Sequence, residues 1–360
     1  MSQPTFRLVR EGDEANLLAL LQAAFGRWPA VDAPVAPIEH LRWKLAAAPP
    51  ADRYHCVAQV DGRLVAAHLA VLHRFRARYG TAVALRTWDA AVHPDEQGRG
   101  LMRELRRFLL EQARPHADFE TGAFTRNAAM SRLLDEAGQV PLGARMETAI
   151  APLTLPAAIA TLKLSPRRAP AKLVRAAALL ARWAQSRPAR PVDGFAIRTV
   201  QRFDGRIAAF VEEASEPFDL LIERTPEFLR WRYEDERGGR FTIALAEEGD
   251  RLLGYAVQRM TRGRAYLADL LALPGRPDAV EALARHAAAS FRRQGAATVE
   301  CLIAADHPYR AILSRCGFVG RRRRKDLFAI VPLRASPGQL AFLQRPGLRL
   351  HLMLGDSDTV

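Results

Sequence analysis

The sequence predicts an α/β (α+β) fold made of two tandem mixed β-sheet domains flanked by helices. Its length of 360 residues suits two domains. Apolar residues recur with helical spacing in some segments and with strand spacing in others. In addition, residues 38–45 resemble residues 226–233, and the same order of elements follows each of them. We refer to the two repeated units as copy one and copy two.

Each copy begins with an amphipathic helix, which in copy one places Leu17, Leu20, Leu21 and Phe25 on one stripe. Strands separated by turn signals follow, and then a long helix, a strand, a shorter helix and a last strand. The main predicted strands are 54–60, 64–73, 82–92 and 118–124 in copy one, and 240–246, 252–260, 264–272 and 297–303 in copy two. The later helices are predicted at 99–113 and 127–137, and at 278–293 and 308–315.

These patterns divide the chain into consecutive segments. A Pro-containing basic linker with a helix over 171–185 is expected between the two domains. The expected boundaries are 1–150 for the N-terminal domain, 151–194 for the linker, 195–335 for the C-terminal domain and 336–360 for a tail.

The net charge of +14 is unevenly distributed along the chain. Residues 1–150 hold 19 basic and 17 acidic side chains, whereas 151–194 hold eight and one, and another basic run lies at 321–325. This distribution argues against a nucleic-acid partner. There is no apolar stretch long enough to span a membrane and no signal-peptide pattern, so we expect a cytoplasmic protein. The histidines and cysteines show no metal-ligand or disulfide spacing, which predicts no metal.

The stretch from residue 90 to 102 carries the most chemical information. A strand ends in Val92-His93-Pro94, a turn contains Gly98 and Gly100, and a helix follows whose apolar stripe fixes the direction of its N-terminus. Glycines allow close approach to the backbone, and the first N–H groups of a helix lack intrahelical acceptors. The pattern therefore predicts a cradle for a phosphate group.

This arrangement resembles motif A of the Gcn5-related N-acetyltransferase (GNAT) family, in which Gln/Arg-x-x-Gly-x-Gly/Ala follows a strand ending in Val-x-Pro. Gln97, Gly100 and the run 92–94 match, whereas Met102 departs from the final Gly/Ala. The resemblance implies that the backbone of residues 91–93 pairs with the pantetheine arm of acyl-CoA, expected to be acetyl-CoA, and that the loop binds its pyrophosphate. The implied coenzyme-binding residues are Ala91, Val92, His93, Gln97, Gly98, Arg99, Gly100, Leu101, Met102 and Asn127.

Copy two is predicted to have lost this site. Pro277 occupies the position where a backbone N–H would be needed. Asp278 is predicted to cap the following helix, which places a carboxylate where phosphates would bind. We therefore expect copy two to be a structural or acceptor-shaping partner.

Acyl transfer to an amine requires the loss of a proton from the amine and the departure of a thiolate. Asp89 and Glu120 are the candidate bases, acting directly or through water. The position where the family often has a general-acid tyrosine is Leu134 in this sequence. Ser131 or Tyr79 is then the candidate acid, or the thiolate leaves unassisted.

These observations predict an acyl-CoA-dependent N-acyltransferase that acts on a small-molecule amine. One alternative is an aminoacyltransferase that uses aminoacyl-tRNA, which would suit the basic linker but not the intact loop at residues 97–100. Another is a non-catalytic polyanion-binding protein with a relic loop.

Overall fold

The computed structural model describes residues 3–46, 52–122, 128–162, 194–321 and 327–357. The predicted helix at 171–185 and residues 322–325 of the basic run lie outside these ranges. The chain falls into two units, described separately below. Unit one comprises Met1–Gly143, Asp235–Gly239 and Leu327–Leu348, and unit two comprises Ala144–Glu234, Arg240–Asp326 and Arg349–Val360.

Unit one contains a mixed sheet. Its strands are β1 (Thr5–Leu8), β2 (Cys56–Val60), β3 (Arg63–Ala77), β4 (Gly80–Val92), β5 (Phe119–Gly122) and β14 (Leu327–Pro332). Their order is β1-β2-β3-β4-β5-β14. The β4/β5 pair is parallel, and each other described pair in this order is antiparallel.

Helices cover both faces of this sheet. They are α1 (Glu14–Phe25), α2 (Pro37–Ala46), α3 (Leu101–Ala113), α4 (Ala128–Glu136) and α10 (Pro337–Gln344). Leu17, Leu20 and Leu21 of α1 are buried in the core on one face, as their spacing predicts. Phe25 departs from that prediction, because 46% of its surface is exposed. On the other face Leu105 of α3 is fully buried, a burial that stabilises a leucine by about 1.5–3 kcal/mol.

Unit two contains a second mixed sheet. Its strands are β6 (Val140–Pro152, within the unit from Ala144), β7 (Ala196–Val200), β9 (Thr242–Glu248), β10 (Arg251–Thr261), β11 (Arg264–Ala272), β12 (Thr298–Ala304) and β13 (Val319–Arg321). Their order is β6-β12-β11-β10-β9-β7, with β13 also paired to β6. A parallel pair joins β8 (Leu220–Ile222) to β15 (Leu350–His351).

The helices of unit two are α5 (Leu155–Leu162), α6 (Ile207–Ala214), α7 (Pro226–Leu229), α8 (Pro277–Arg293) and α9 (Arg310–Arg315). Alanines at helical spacing, among them Ala284 and Ala288, allow α8 to pack closely on β10 and β11. Among the described residues of the chain, no helix combines the length and the apolar character needed to cross a membrane.

Each unit contains the last strand of the other copy. Strand β14, which follows copy two in the sequence, pairs with β5 through Val331↔Glu120. Strand β6, which ends copy one, pairs with β12 through Ala149↔Cys301. The predicted boundaries follow chain order, whereas the observed units take strands from both copies. A strand edge accepts any chain of matching length and pattern, so its partner need not be a sequence neighbour.

Candidate active site

Strand β4 carries a β-bulge where the candidate site begins. Asp89 is an extra residue between Trp88 and Ala90, whose partners on β3 are consecutive. Its φ of +41° lies in the left-handed region, and the bulge changes the local twist of the strand. The described pairing of β4 with β5 runs up to Thr87, and residues 90–92 beyond the bulge border a cleft.

The turn after β4 leads directly into α3. Pro94–Glu96 forms a short 3-10 turn, and Nδ1 of His93 accepts a hydrogen bond from the backbone N–H of Asp95 (3.3 Å). Gly98 and Gly100 have φ values of +79° and +77°. Residues with side chains rarely adopt such values, so the turn requires glycine at both positions.

The N-terminus of α3 offers donors to an anion. Gly100 precedes the helix and has no side chain to cap it. The first backbone bonds of the helix are donated by Arg103 and Glu104 to the carbonyl of Gly100 (3.0 and 3.2 Å). The N–H groups of Leu101 and Met102 precede these bonds and therefore have no intrahelical acceptor. A Cβ built on Gly98 or Gly100 would meet nothing within 4 Å, so this turn leaves room for a phosphate group.

A cleft of about 710 Å³ lies beside β4, and we call it the β4 cleft. Its walls are largely apolar, with a small number of polar groups from the loop and the two helices. This composition and size are typical of sites that bind an elongated small molecule. The lining residues are Ala24, Phe25, Ala90, Ala91, Val92, Glu96, Gln97, Gly98, Gly100, Leu101, Met102, Arg103, Ala129, Met130, Arg132, Leu133 and Glu136.

The backbone of β4 presents alternate residues to this cleft. The N–H of His93 donates to the carbonyl of Val65 on β3 (2.8 Å). Because the N–H and C=O groups of successive strand residues point to opposite edges, those of Val92 point away from β3. The side-chain amide of Gln97 lies 3.4 Å from the Val92 carbonyl, on that outer edge. The backbone groups that face the cleft are thus those of Val92 rather than those of His93.

The two candidate bases both hold buried or partly buried ion pairs. Asp89 pairs with Lys44 of α2, and 13% of the Asp89 side chain is exposed. The Lys44 ammonium lies 5.8 and 5.7 Å from the ring centroids of Trp28 and Trp88, within the range of cation–π attraction.

Glu120 faces the opposite side of the sheet. It pairs with Arg106 of α3, and only 1% of its side chain is exposed. Burial raises the pKa of Glu120, and the charge of Arg106 opposes that effect. Neither Glu120 nor Asp89 is among the residues that line the β4 cleft.

The candidate acids are placed differently. Ser131 lies on α4 but outside the set that lines the β4 cleft. Tyr79 lies in the turn before β4, where its ring contacts Phe342 of α10 (5.1 Å between centroids). That turn is separated from Val92 by the 13 residues of β4, roughly 40 Å of extended chain. Burial raises the pKa of Tyr79 to about 12, and the structure does not bring it to the cleft. Asn127 lies outside the described residues.

Both carboxylates in the lining of the β4 cleft are also paired. Glu96 forms an ion pair with Arg99, and Glu136 lies 2.9 Å from Arg103. Among the described lining residues, no carboxylate is therefore left without a cation beside it.

The corresponding loop of copy two is built differently. Gly275 keeps a positive φ of +75°, but α8 starts with Pro277. The prediction that Asp278 caps this helix is wrong, because Arg276 occupies the cap position and Asp278 lies in the first turn. Asp278 instead forms an ion pair with Arg276 (2.8 Å), which lowers the pKa of its carboxyl.

Several lining residues were not predicted from the sequence. Phe25, Arg103, Met130 and Arg132 all border the β4 cleft. The spacing of Met130 and Leu133 marks one face of an amphipathic helix, but the same spacing serves a core as well as a cleft wall. Only the position of α4 beside β4 shows that these residues line a cleft rather than a core.

Comparison with known proteins identifies the first copy. Residues 17–138 match the model of the acetyltransferase (GNAT) family. This segment belongs to the GNAT family. The predicted family is thereby confirmed, and the chain carries a GNAT acetyltransferase domain.

Solved GNAT-fold structures cover nearly the whole chain. The fold is similar over 96% of this chain and 76% of a probable N-acyltransferase from Enterococcus faecalis V583 (TM-score 0.65, 11% identity). It is similar over 96% of this chain and 74% of a GCN5-related N-acetyltransferase from Kribbella flavida (TM-score 0.59, 16% identity). A tandem GNAT protein from the clavulanic acid biosynthesis pathway is matched over 91% of this chain and 96% of its own (TM-score 0.58, 18% identity).

At these identities the similarity concerns the fold, and the predicted α/β class is confirmed. No curated protein sequence gives a significant match to this chain. Within the described ranges, no group of three or more histidine, cysteine or acidic side chains could hold a metal ion.

Proposed function

We propose that this protein is an acyl-CoA-dependent N-acyltransferase that transfers the acyl group of acetyl-CoA directly to the amine of a small molecule. The observation that carries this proposal is the uncapped N-terminus of α3 at the mouth of the β4 cleft. The cleft is large enough for an elongated ligand, and its apolar walls suit the arm and the thioester of an acyl-CoA.

Different groups in and beside the loop would bind different parts of the coenzyme. The N–H groups of Leu101 and Met102, helped by the dipole of α3, would hold the pyrophosphate. Gly98 and Gly100 would let the phosphates approach the backbone, and the outer edge of Val92 would pair with the pantetheine arm. The coenzyme supplies the thioester carbonyl that the amine attacks. Apolar walls around this point would exclude water and favour the neutral amine.

Proton transfer is proposed to involve solvent. Asp89 and Glu120 are held by Lys44 and Arg106, so neither carboxylate is aimed at the β4 cleft. Without a carboxylate base, the enzyme would act on the fraction of acceptor that is already neutral, and the thiolate would leave without an acid. The value of kcat/KM should then rise with pH up to the pKa of the acceptor amine. If kcat/KM instead levels off at a pH below the pKa of the amine, and Asp89→Asn abolishes this plateau, Asp89 is the base.

Calorimetric titration with acetyl-CoA tests the coenzyme site. We expect one molecule to bind per chain with micromolar affinity. Gly100→Asp should weaken binding about 100-fold, because it places a carboxylate beside the pyrophosphate, at a cost of about 2–3 kcal/mol. Gly275→Asp in copy two is the matched control, since Gly275 has nearly the same φ and an equally open Cβ position. Its affinity should stay within about twofold of the wild type.

The acetyl-CoA titration and two further assays separate the alternatives. Wild-type protein that fails to bind acetyl-CoA would contradict the proposal. Transfer from aminoacyl-tRNA by such a protein would support the aminoacyltransferase. Salt-dependent RNA binding that persists in Gln97→Ala and Gly100→Asp would support the polyanion-binding protein.

A further inference from the structure

In unit two a tyrosine hydroxyl occupies the outer edge of β11. Oη of Tyr309 accepts a hydrogen bond from the N–H of Ala272 (3.0 Å) and donates one to the carbonyl of the same residue (3.1 Å). Phe218 and His307 pack against its ring, with centroids 5.8 and 4.8 Å away, and only 7% of Tyr309 is exposed. A single side chain thus satisfies both backbone groups at this edge.

Ala272 of β11 corresponds to Val92 of β4. In copy one the next residue, His93, donates to Val65 of the preceding strand (2.8 Å), and in copy two Leu273 donates to Leu253 in the same way (2.9 Å). The N–H and C=O of the preceding residue therefore point to the outer edge in both copies.

Tyr309 in turn corresponds to Met130. The two helices end alike, with Gln139 donating to Leu134 in copy one (3.1 Å) and Phe318 donating to Leu313 in copy two (2.9 Å). Met130 precedes Gln139 by as many residues as Tyr309 precedes Phe318, so the two positions correspond. Met130 lines the β4 cleft, and a thioether has no hydrogen to donate.

We propose that this position determines whether a copy of the fold binds a coenzyme. In copy two, the Tyr309 hydroxyl already forms the hydrogen bonds that the backbone at this edge would offer to a ligand. In copy one, Met130 cannot form these two bonds. The Gln97 amide lies 3.4 Å from the Val92 carbonyl, which leaves the second lone pair of that carbonyl and the Val92 N–H to a ligand that carries one donor and one acceptor close together, as a secondary amide does. This inference rests on the proposed function, since the pantetheine arm of a coenzyme presents such amides, and it assigns Met130 a specificity-determining role.

The substitution Met130→Tyr, made in the full chain, tests this assignment. We expect the affinity for CoA to fall at least about 30-fold, because the tyrosine would take both the space and the hydrogen bonds of the arm. The affinity for ADP, which has the pyrophosphate but no pantetheine arm, should change less than about twofold. Asp135→Tyr places the same side chain at an exposed position of α4 and should leave both affinities unchanged.

A second measurement does not depend on a variant. In isotope-labelled wild-type protein, saturating CoA should shift the amide resonance of Val92, and ADP should leave it in place. An unshifted Val92 resonance in the CoA complex, or equal CoA affinity in Met130→Tyr and the wild type, would overturn the inference while the proposed function stands. Failure of the wild type to bind CoA at all would overturn the proposed function itself.

Discussion

The two copies build the same strand and then treat its outer edge differently. In copy one, residues 90–92 border a cleft, and α3 begins after Gly100 with free donors. In copy two, Tyr309 covers the equivalent edge, and α8 begins with a proline and carries an ion-paired carboxylate in its first turn. The comparison teaches that the two copies differ at the strand edge in one residue, Met130 or Tyr309, and in the turn that precedes the following long helix.

The corresponding aspartates of β4 and β11 also differ between the copies. Asp89 has 13% of its side chain exposed and is held by Lys44. Asp269 is fully buried and contacts several polar side chains. One of them is His351, which lies on β15 near the C-terminus. Its partners are Arg224 (3.2 Å), Tyr233 (3.1 Å), Tyr255 (2.9 Å) and His351 (3.3 Å).

The largest effect that we predict tests this difference. Asp269→Ala should lower the free energy of unfolding by about 3–5 kcal/mol, because it leaves a buried arginine and two tyrosine hydroxyls short of a partner. Asp89→Ala should cost only about 2 kcal/mol, since water reaches part of its ion pair. Chemical denaturation of the full chain measures both. Equal losses would show that burial does not distinguish the two aspartates.

A smaller effect should arise from a histidine that only copy one has. His55 is buried, its Nδ1 accepts from the N–H of Ala70 (3.2 Å), and its Nε2 lies 3.2 Å from the carbonyl of Leu45. Protonation would break the bond from Ala70, and burial lowers the pKa of His55 to about 4. Copy two has the fully buried Ile243 at the equivalent position.

Because the pKa of His55 is lower in the folded state than the usual 6.5, its contribution to stability is present above pH 6.5. It is lost as the pH falls from 6.5 to 4, at about 1.4 kcal/mol per pH unit and about 3 kcal/mol in total. The difference between His55→Gln and the wild type isolates this contribution from the other histidines. Unfolding measured across this pH range should give a flatter profile for the variant, and parallel profiles would contradict the assignment.

Local features of this site could be predicted from the sequence, because short-range rules determine them. The strand predicted at 82–92 is observed as Gly80–Val92, and the helix predicted at 99–113 is observed as Leu101–Ala113. The glycines between them mark a turn with positive φ, as observed. The predicted anion cradle depends on this turn and the helix start alone.

Features that depend on distant pairing could not be predicted. The ring of Tyr79 contacts Phe342 of α10, and this contact between distant parts of the chain is not indicated by the position of Tyr79 in the sequence. The exchange of the last strands is invisible in the sequence, since β6 and β14 fit either sheet by pattern. The contact of Tyr309 with the edge of β11 could not be predicted for a similar reason, because its hydroxyl meets Ala272 only after the chain has folded.

The smallest effect that we predict concerns this hydroxyl. Tyr309→Phe keeps the ring between Phe218 and His307 but leaves the N–H and C=O of Ala272 without the hydroxyl. We expect the free energy of unfolding to fall by about 1–3 kcal/mol, the cost of a buried backbone group that loses its partner. Acetyl-CoA affinity should stay within about twofold of the wild type, because the proposed site lies in copy one. A loss of stability below about 0.5 kcal/mol would show that the edge of β11 does not need the Tyr309 hydroxyl. The contrast between the two copies would then rest on the turn before the helix alone.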